Sequence, residues 1–167
     1  MAVVVIGGSD GGEDTFTAAA LAMDGYPALA LGYFKEPGLP QCLCAIPLEY
    51  FAGPAWTFHG KPLPTGTLIP VGRIRVPVLL SDGGQDAVWD SAGSASAIVA
   101  ELKAAHGRAP YLNLYYPGAG HGFLGYPPYL PYAWYGPHGP LGGTQQANSL
   151  AAEQSWARMI SFLSNSG

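Results

Sequence analysis

Short apolar runs, each followed by a cluster of glycine and small polar residues, set the rhythm of this 167-residue chain. Val3-Val4-Val5-Ile6 leads into Gly7-Gly8-Ser9-Asp10-Gly11-Gly12. Pro77-Val78-Leu79-Leu80 leads into Ser81-Asp82-Gly83-Gly84-Gln85-Asp86, and Tyr111 to Tyr116 leads into Pro117-Gly118-Ala119-Gly120-His121. Brief β-branched and aliphatic runs bounded by turn formers read as strands, and Pro27 to Leu31 supplies another. Between them lie helical stretches. One is capped by Asp14 or Thr15, continues through Met23 and is stopped by Gly25. A second runs from Ser91 to Gly107, with Ser91 or Ser94 near its cap and Ile98, Val99 and Leu102 on one face. The last begins near Thr144, with Leu150, Trp156, Met159, Ile160 and Leu163 at spacings that suit one buried face. Alternation of strand and helix predicts an α/β fold, a minimal parallel sheet of about four strands flanked by helices.

Two stretches break the rhythm. Residues 35–76 are rich in proline and poor in periodic apolar positions, apart from one helical turn expected at Ile46 to Phe51, so this long segment reads as connection and cleft wall. After His121 come Phe123, Tyr126, Tyr129, Tyr132, Trp134 and Tyr135 among five prolines and repeated glycines. Proline removes backbone donors and glycine favours irregular turns, so this segment is expected to be an ordered loop held by its rings. It serves either as the aromatic wall of a pocket, with Phe123, Tyr126 and Trp134 as candidates, or as a self-packed cover or dimer contact.

The turns carry the candidate chemistry. Ser9 lies in a G-x-S-x-G context between a strand and a helix, the setting of a nucleophile elbow, where small neighbours permit the tight backbone that lifts a hydroxyl toward substrate. An ordinary glycine-rich strand-to-helix turn is the alternative. Ser9, Asp86 and His121 each follow a different strand, and in a parallel sheet residues just past the strands gather at one edge. Their order along the chain is that of the α/β-hydrolase triad. Asp82 and Asp90 compete with Asp86 as the acid, since all three lie close to one strand end.

The chain resembles the dienelactone-hydrolase-like α/β-hydrolases, and within them the catalytic domain shared by acyl-CoA thioesterases and bile acid-CoA:amino acid N-acyltransferases. The resemblance rests on Gly7 to Gly12, on Gly25-Tyr26-Pro27-Ala28-Leu29-Ala30-Leu31 with Tyr33-Phe34, and on Leu39-Pro40 followed by Ile46 to Phe51. It continues with Asp86-Ala87-Val88-Trp89, Tyr116 to His121, and Leu141-Gly142-Gly143-Thr144 ahead of a helix containing Ser155-Trp156. It implies a hydrolase fold with Asp86 as acid and His121 as base. One departure stands out. The family's nucleophile-bearing strand and helix would lie between Phe51 and Ala55 to Lys61, where only Ala52, Gly53 and Pro54 intervene. The resemblance places Gly7 to Gly12 at the family's oxyanion-hole turn. Ser9 as nucleophile follows instead from its spacing and from the shortening, which would let the Val3 to Ile6 strand neighbour the Pro77 strand.

Composition narrows the remaining choices. By length the chain is expected to be one domain, residues 1–167, a truncated α/β-hydrolase. It is 49% hydrophobic and only 11% charged, and that shortage of charge implies exposed apolar surface, a substrate cleft or the interface of a homodimer. A net charge of -4, with seven scattered basic residues, excludes a nucleic-acid footprint. No run is long enough to span a membrane and no basic leader precedes the first strand, so a cytoplasmic location is expected. Cys42 and Cys44 are read as free thiols, because neighbours so close make a strained bridge and lack the partners of a structural zinc site. His59, His106 and His138 read as surface imidazoles. No metal or cofactor is expected.

The chemistry these residues imply is hydrolysis of a small carboxylic ester. Asp86 holds the His121 tautomer, His121 takes the proton from Ser9, and the backbone N–H of Asp10, just after the nucleophile, serves the oxyanion. A second donor is sought near Tyr33 and Phe34, and Phe34 joins the substrate-contacting aromatics. Rival readings are an acyl-CoA thioesterase, and a non-catalytic hydrolase fragment in which Ser9 keeps only the oxyanion-turn role. A phosphate-binding module is disfavoured by Asp10 and Glu13 and by the lack of a P-loop lysine.

Overall fold

The computed structural model describes residues 2–8, 11–39, 41, 46–47, 56–58, 61–62, 71–105, 109–121, 123, 135–136 and 139–166. The contacts divide the chain into two compact units, Met1–Ile69 and Pro70–Gly167, which are taken in turn.

In the first unit, strand β1 (Val3–Ile6), helix α1 (Thr15–Met23) and strand β2 (Ala28–Leu31) form one parallel crossover. Val3 stands opposite Ala28 and Ile6 opposite Leu31. Asp14 caps α1 by accepting from the Thr17 N–H and hydroxyl at 3.0 and 2.7 Å, which satisfies one of the donors a helix start leaves unpaired. Strands β3 (Ile46–Pro47), β4 (Trp56–Phe58) and β5 (Lys61–Pro62) make a small mixed ladder of their own. The helical turn expected at Ile46 to Phe51 therefore starts as extended chain. Its first two residues pair with Trp56 and Thr57.

In the second unit a short 3-10 turn, Val71–Arg73, precedes β6 (Val78–Gly83), α2 (Ser91–Ala104) and β7 (Tyr111–Tyr116). β6 and β7 are parallel and in register from Val78 opposite Tyr111 to Gly83 opposite Tyr116, so the two strands end at one level. Asp90 caps α2 by accepting from the Gly93 N–H at 2.8 Å. A hairpin of β8 (Tyr135–Gly136) and β9 (Gly139–Pro140) leads to α3 (Gln145–Asn165), capped by Thr144. Both α2 and α3 pack on the β6–β7 pair.

Each unit thus holds one main parallel pair, β1–β2 in the first and β6–β7 in the second. Each pair is joined by a short helical crossover that holds its two strands together, whereas a long proline-rich stretch separates β2 from β6. On α3 Trp156 is buried and Met159, Ile160 and Leu163 half-buried as expected, but Leu150 is 52% exposed, while Asn148, Ala151, Ala152 and Ser155 face inward. Small side chains are needed there because Ala151 and Ala152 pack on Ala119 and Phe123, whose turn comes close to the helix. Phe123 completes this cluster edge-on to Tyr116, with ring centroids 5.2 Å apart.

Leu102 on α2 is 2% exposed, and truncating it leaves a cavity where the helix meets the sheet. Leu102→Ala is expected to cost about 2–5 kcal/mol in denaturant unfolding, and Thr144→Ala, which removes a cap, about 1 kcal/mol. A Leu102→Ala change under about 0.5 kcal/mol would contradict this core.

Candidate active site

The common ending of β6 and β7 brings two turns side by side. The β6 turn begins as the Gly84 N–H donates to the Tyr116 carbonyl at 2.9 Å and the Gln85 N–H to the Ala119 carbonyl at 2.8 Å, tying it to the turn after β7. Asp86 and His121 follow from these two turns. Their side chains meet, His121 Nδ1 lying 3.0 Å from Asp86 Oδ2.

The Asp86 carboxylate is held on both oxygens. Oδ1 accepts from the N–H groups of Val88 and Trp89 at 2.9 and 3.2 Å, which leaves Oδ2 aimed at the imidazole. The Asp86 side chain is 5% exposed and that of His121 35%. An orienting carboxylate is thus buried behind a base that reaches solvent. A carboxylate can only accept, so it places the ring proton on Nδ1 and leaves Nε2 as a proton acceptor. Burial pushes the Asp86 carboxyl up, but the hydrogen bonds from His121, Val88, Ser91 and Trp89 outweigh it and hold its pKa below the ordinary carboxylate value.

The two competing acids have other roles. Asp82 lies within β6, 4% exposed, where burial raises its pKa against the opposing hydrogen bond from Asn113. Asp90 is the α2 cap. Asp86 alone of the three meets an imidazole among the described residues.

A third segment braces the pair. The Leu141 carbonyl accepts from the His121 N–H at 2.7 Å and from the Ala87 N–H at 3.3 Å. Gly142 bridges Asp86, and Gly143 bridges Ala119. Both glycines have positive φ, +84° and +69°, and a Cβ on Gly142 would strike the Gln85 carbonyl while one on Gly143 would strike the Gly120 N–H. Only glycine permits that backbone and that approach. The sequence reading used Gly142-Gly143 as part of a family pattern and gave it no role at the site.

In the first unit the turn after β1 is tied down by its own neighbours. The Tyr33 hydroxyl donates to the carbonyls of Gly7 and Gly8 at 3.3 and 3.4 Å, and the Gly12 N–H donates to the Phe34 carbonyl at 3.0 Å. Burial raises the Tyr33 pKa. Phe34 is 1% exposed and packs edge-on to Tyr33, so its ring belongs to the core of that unit. Ser9, Asp10, Tyr126 and Trp134 lie outside the described residues, as do Cys42, Cys44, His59, His106 and His138. Among the described residues no group of three or more acidic, cysteine or histidine side chains stands together as a metal site, and no helix is long and apolar enough to cross a membrane.

The two buried carboxyls carry opposite pH signatures. The Asp86 pKa is lower folded than unfolded, so its stabilising contribution is present above about pH 4 and is lost as pH falls through the folded pKa. The Asp82 pKa is higher folded than unfolded, so stability from that group is greatest below about pH 4 and declines as pH rises through the folded pKa. Asp86→Asn is expected to melt below the wild type near neutrality, with the gap closing on acidification. Asp82→Asn is expected to hold or raise the melting temperature near neutrality, with its advantage shrinking in acid. Thermal unfolding from about pH 3 to about pH 8 reads both, and parallel curves for wild type and Asp86→Asn would count against the Asp86 assignment.

Comparison with curated proteins finds no match. A family model described as BAAT / acyl-CoA thioester hydrolase C terminal matches residues 55–166, two thirds of the chain. The matched stretch holds β6, α2, β7 and α3, and with them Asp86, His121 and the glycine brace; Ser9 precedes it. A parallel strand pair that delivers an acid and a base from successive strand ends is the arrangement an α/β-hydrolase-type domain requires. The chain belongs to the BAAT / acyl-CoA thioester hydrolase C-terminal family.

Proposed function

We propose that the protein hydrolyses carboxylic acyl esters through an acyl-enzyme, with His121 as general base, Asp86 as its orienting acid and Ser9 as nucleophile. The observation that carries this reading is the 3.0 Å contact of His121 Nδ1 with a buried Asp86, which directs Nε2 outward as a base. In the proposed reaction Ser9 Oγ attacks the acyl carbonyl as Nε2 takes its proton. Nε2 then returns the proton to the leaving group, and water repeats the sequence on the acyl-serine. The Asp10 N–H is the proposed oxyanion donor, being the first amide past the nucleophile. Phe123 is committed to the α3 cluster, so Tyr126 and Trp134, further along the aromatic segment after His121, are the proposed contacts for the acyl chain.

Small esters are favoured as substrates because the basic residues, Lys35, Lys61, Arg73, Arg75, Lys103, Arg108 and Arg158, are dispersed along the sequence, with no run of them suited to coenzyme A phosphates. The family match favours a second reading, acyl-CoA thioesters. Turnover of p-nitrophenyl butyrate against butyryl-CoA separates them, and faster thioester turnover would select the second.

Ser9→Ala and His121→Ala are each expected to lower ester turnover by at least ~10³-fold, and Asp86→Asn by somewhat less. A fluorophosphonate should label Ser9 in the wild type and not in His121→Ala. Full activity in Ser9→Ala, or label on Ser81 or Ser91 instead, would return Ser9 to a backbone role in the oxyanion turn.

A further inference from the structure

Asn148 occupies the first turn of α3, 6% exposed, and its side-chain amide spans the two segments that flank the candidate base and acid. Its Oδ1 accepts from the Gly120 N–H at 2.8 Å, immediately before His121. Its Nδ2 donates to the Gly142 carbonyl at 3.1 Å, and Gly142 is the bridge partner of Asp86. One side chain therefore links the backbone carrying the imidazole to the backbone opposite the carboxylate.

The link has little slack. A Cβ on Gly143 would strike both Asn148 Oδ1 and the Gly120 N–H, and a Cβ on Gly120 would strike the Gly142 carbonyl. α3 itself is fixed at this end by its Thr144 cap, which accepts from the Ala147 N–H at 3.1 Å, and by the Asn148 N–H donating to the Thr144 carbonyl at 2.8 Å. Asparagine offers a donor and an acceptor on one short arm, and the two backbone groups it serves are of opposite kind, an N–H and a carbonyl. Alanine would leave both without that partner in a site closed to large side chains, and a relaxed turn would move Gly120 and His121 relative to Asp86.

We propose that Asn148 is a positioning residue for the His121–Asp86 pair, setting their separation by holding the Gly120 N–H and the Gly142 carbonyl at once. This rests on the reading of His121 as the base. Displacement of a reacting group by about 1 Å can cost about 10²-fold in rate, so Asn148→Ala is expected to lower kcat on p-nitrophenyl butyrate by about 10- to 100-fold with KM little changed.

The direct readout is the downfield proton resonance of a hydrogen-bonded imidazole Nδ1–H, followed in the full chain. It should be present in the wild type, absent in Asp86→Asn, and lost or shifted in Asn148→Ala. Val99→Ala, in the middle of α2 and outside the segments that carry Asp86, His121 and Gly142, serves as the stability control and should keep both the resonance and kcat. If Asn148→Ala does not fold by circular dichroism, Asn148→Asp carries the test. It retains an acceptor for Gly120, cannot donate to Gly142, and should shift the resonance and lower kcat by about tenfold. An unchanged resonance and unchanged kcat in the Asn148 variants would overturn the positioning role while leaving the hydrolase reading in place. A resonance lost in Asn148→Ala from a wild type without ester or thioester turnover would support the positioning role and overturn the hydrolase reading. A wild type that lacks the resonance would overturn both.

Discussion

Two parallel strands that end at the same level are the constraint from which the second unit is built. Because Gly83 pairs with Tyr116, the turns that follow emerge a strand spacing apart, about 4.8 Å, and residues a few positions further on can touch. A slip of one residue in this register would turn alternate side chains to the opposite face of the sheet and separate the turns. The Gly84 and Gln85 N–H groups add a second tie, donating across to Tyr116 and Ala119 beyond the last paired residues. The contact of Asp86 with His121 is thus inherited from the backbone pairing, and the side chains complete an approach that the strands have already made.

The approach also explains the composition around the site. Glycine and alanine dominate because three backbone segments, the turns after β6 and β7 and the strap of Leu141 to Gly143, lie nearly in contact. A side chain at Gly142 or Gly143 would require a conformation that L-residues rarely adopt and space already filled by backbone. The same crowding selects Ala151, Ala152 and Ser155 on the face of α3 that packs inward, so this helix buries small residues near the site and Trp156 further along. Rigidity at the dyad comes from backbone packed on backbone, with hydrogen bonds closing the gaps.

Family membership and the site geometry concern the same part of the chain. The matched stretch begins at residue 55 and includes the acid, the base and their brace. The elbow-like turn at Gly7 to Gly12 belongs to the other unit, where Tyr33 and Phe34 hold its flanks through the carbonyls of Gly7 and Gly8 and the N–H of Gly12.

Much of the architecture was legible from the sequence because its signals are local. Tyr111 to Tyr116 and Thr15 to Met23 stand where periodicity and caps put them, and the last helix begins beside Thr144 as expected. The candidacy of Asp86 and His121 was legible too, since residues just past parallel strands converge whatever the side chains between them. Other features required the tertiary structure. The family block ending in Trp89 already favoured Asp86 over Asp82 and Asp90, but only the folded chain shows it against an imidazole, with the others committed to a strand interior and a helix cap. On α3 the expected Trp156 is buried and Met159, Ile160 and Leu163 are half-buried, but Asn148, Ala151 and Ser155 carry no strong hydrophobic signal, and only the closeness of the Ala119 turn makes small size the selected property there. The in-register pairing of β6 with β7 likewise depends on non-local hydrogen bonds. Sequence patterns determined the elements and the residue types at their ends; which ends meet, and which side chains have room between them, was decided by long-range packing that no local window contains.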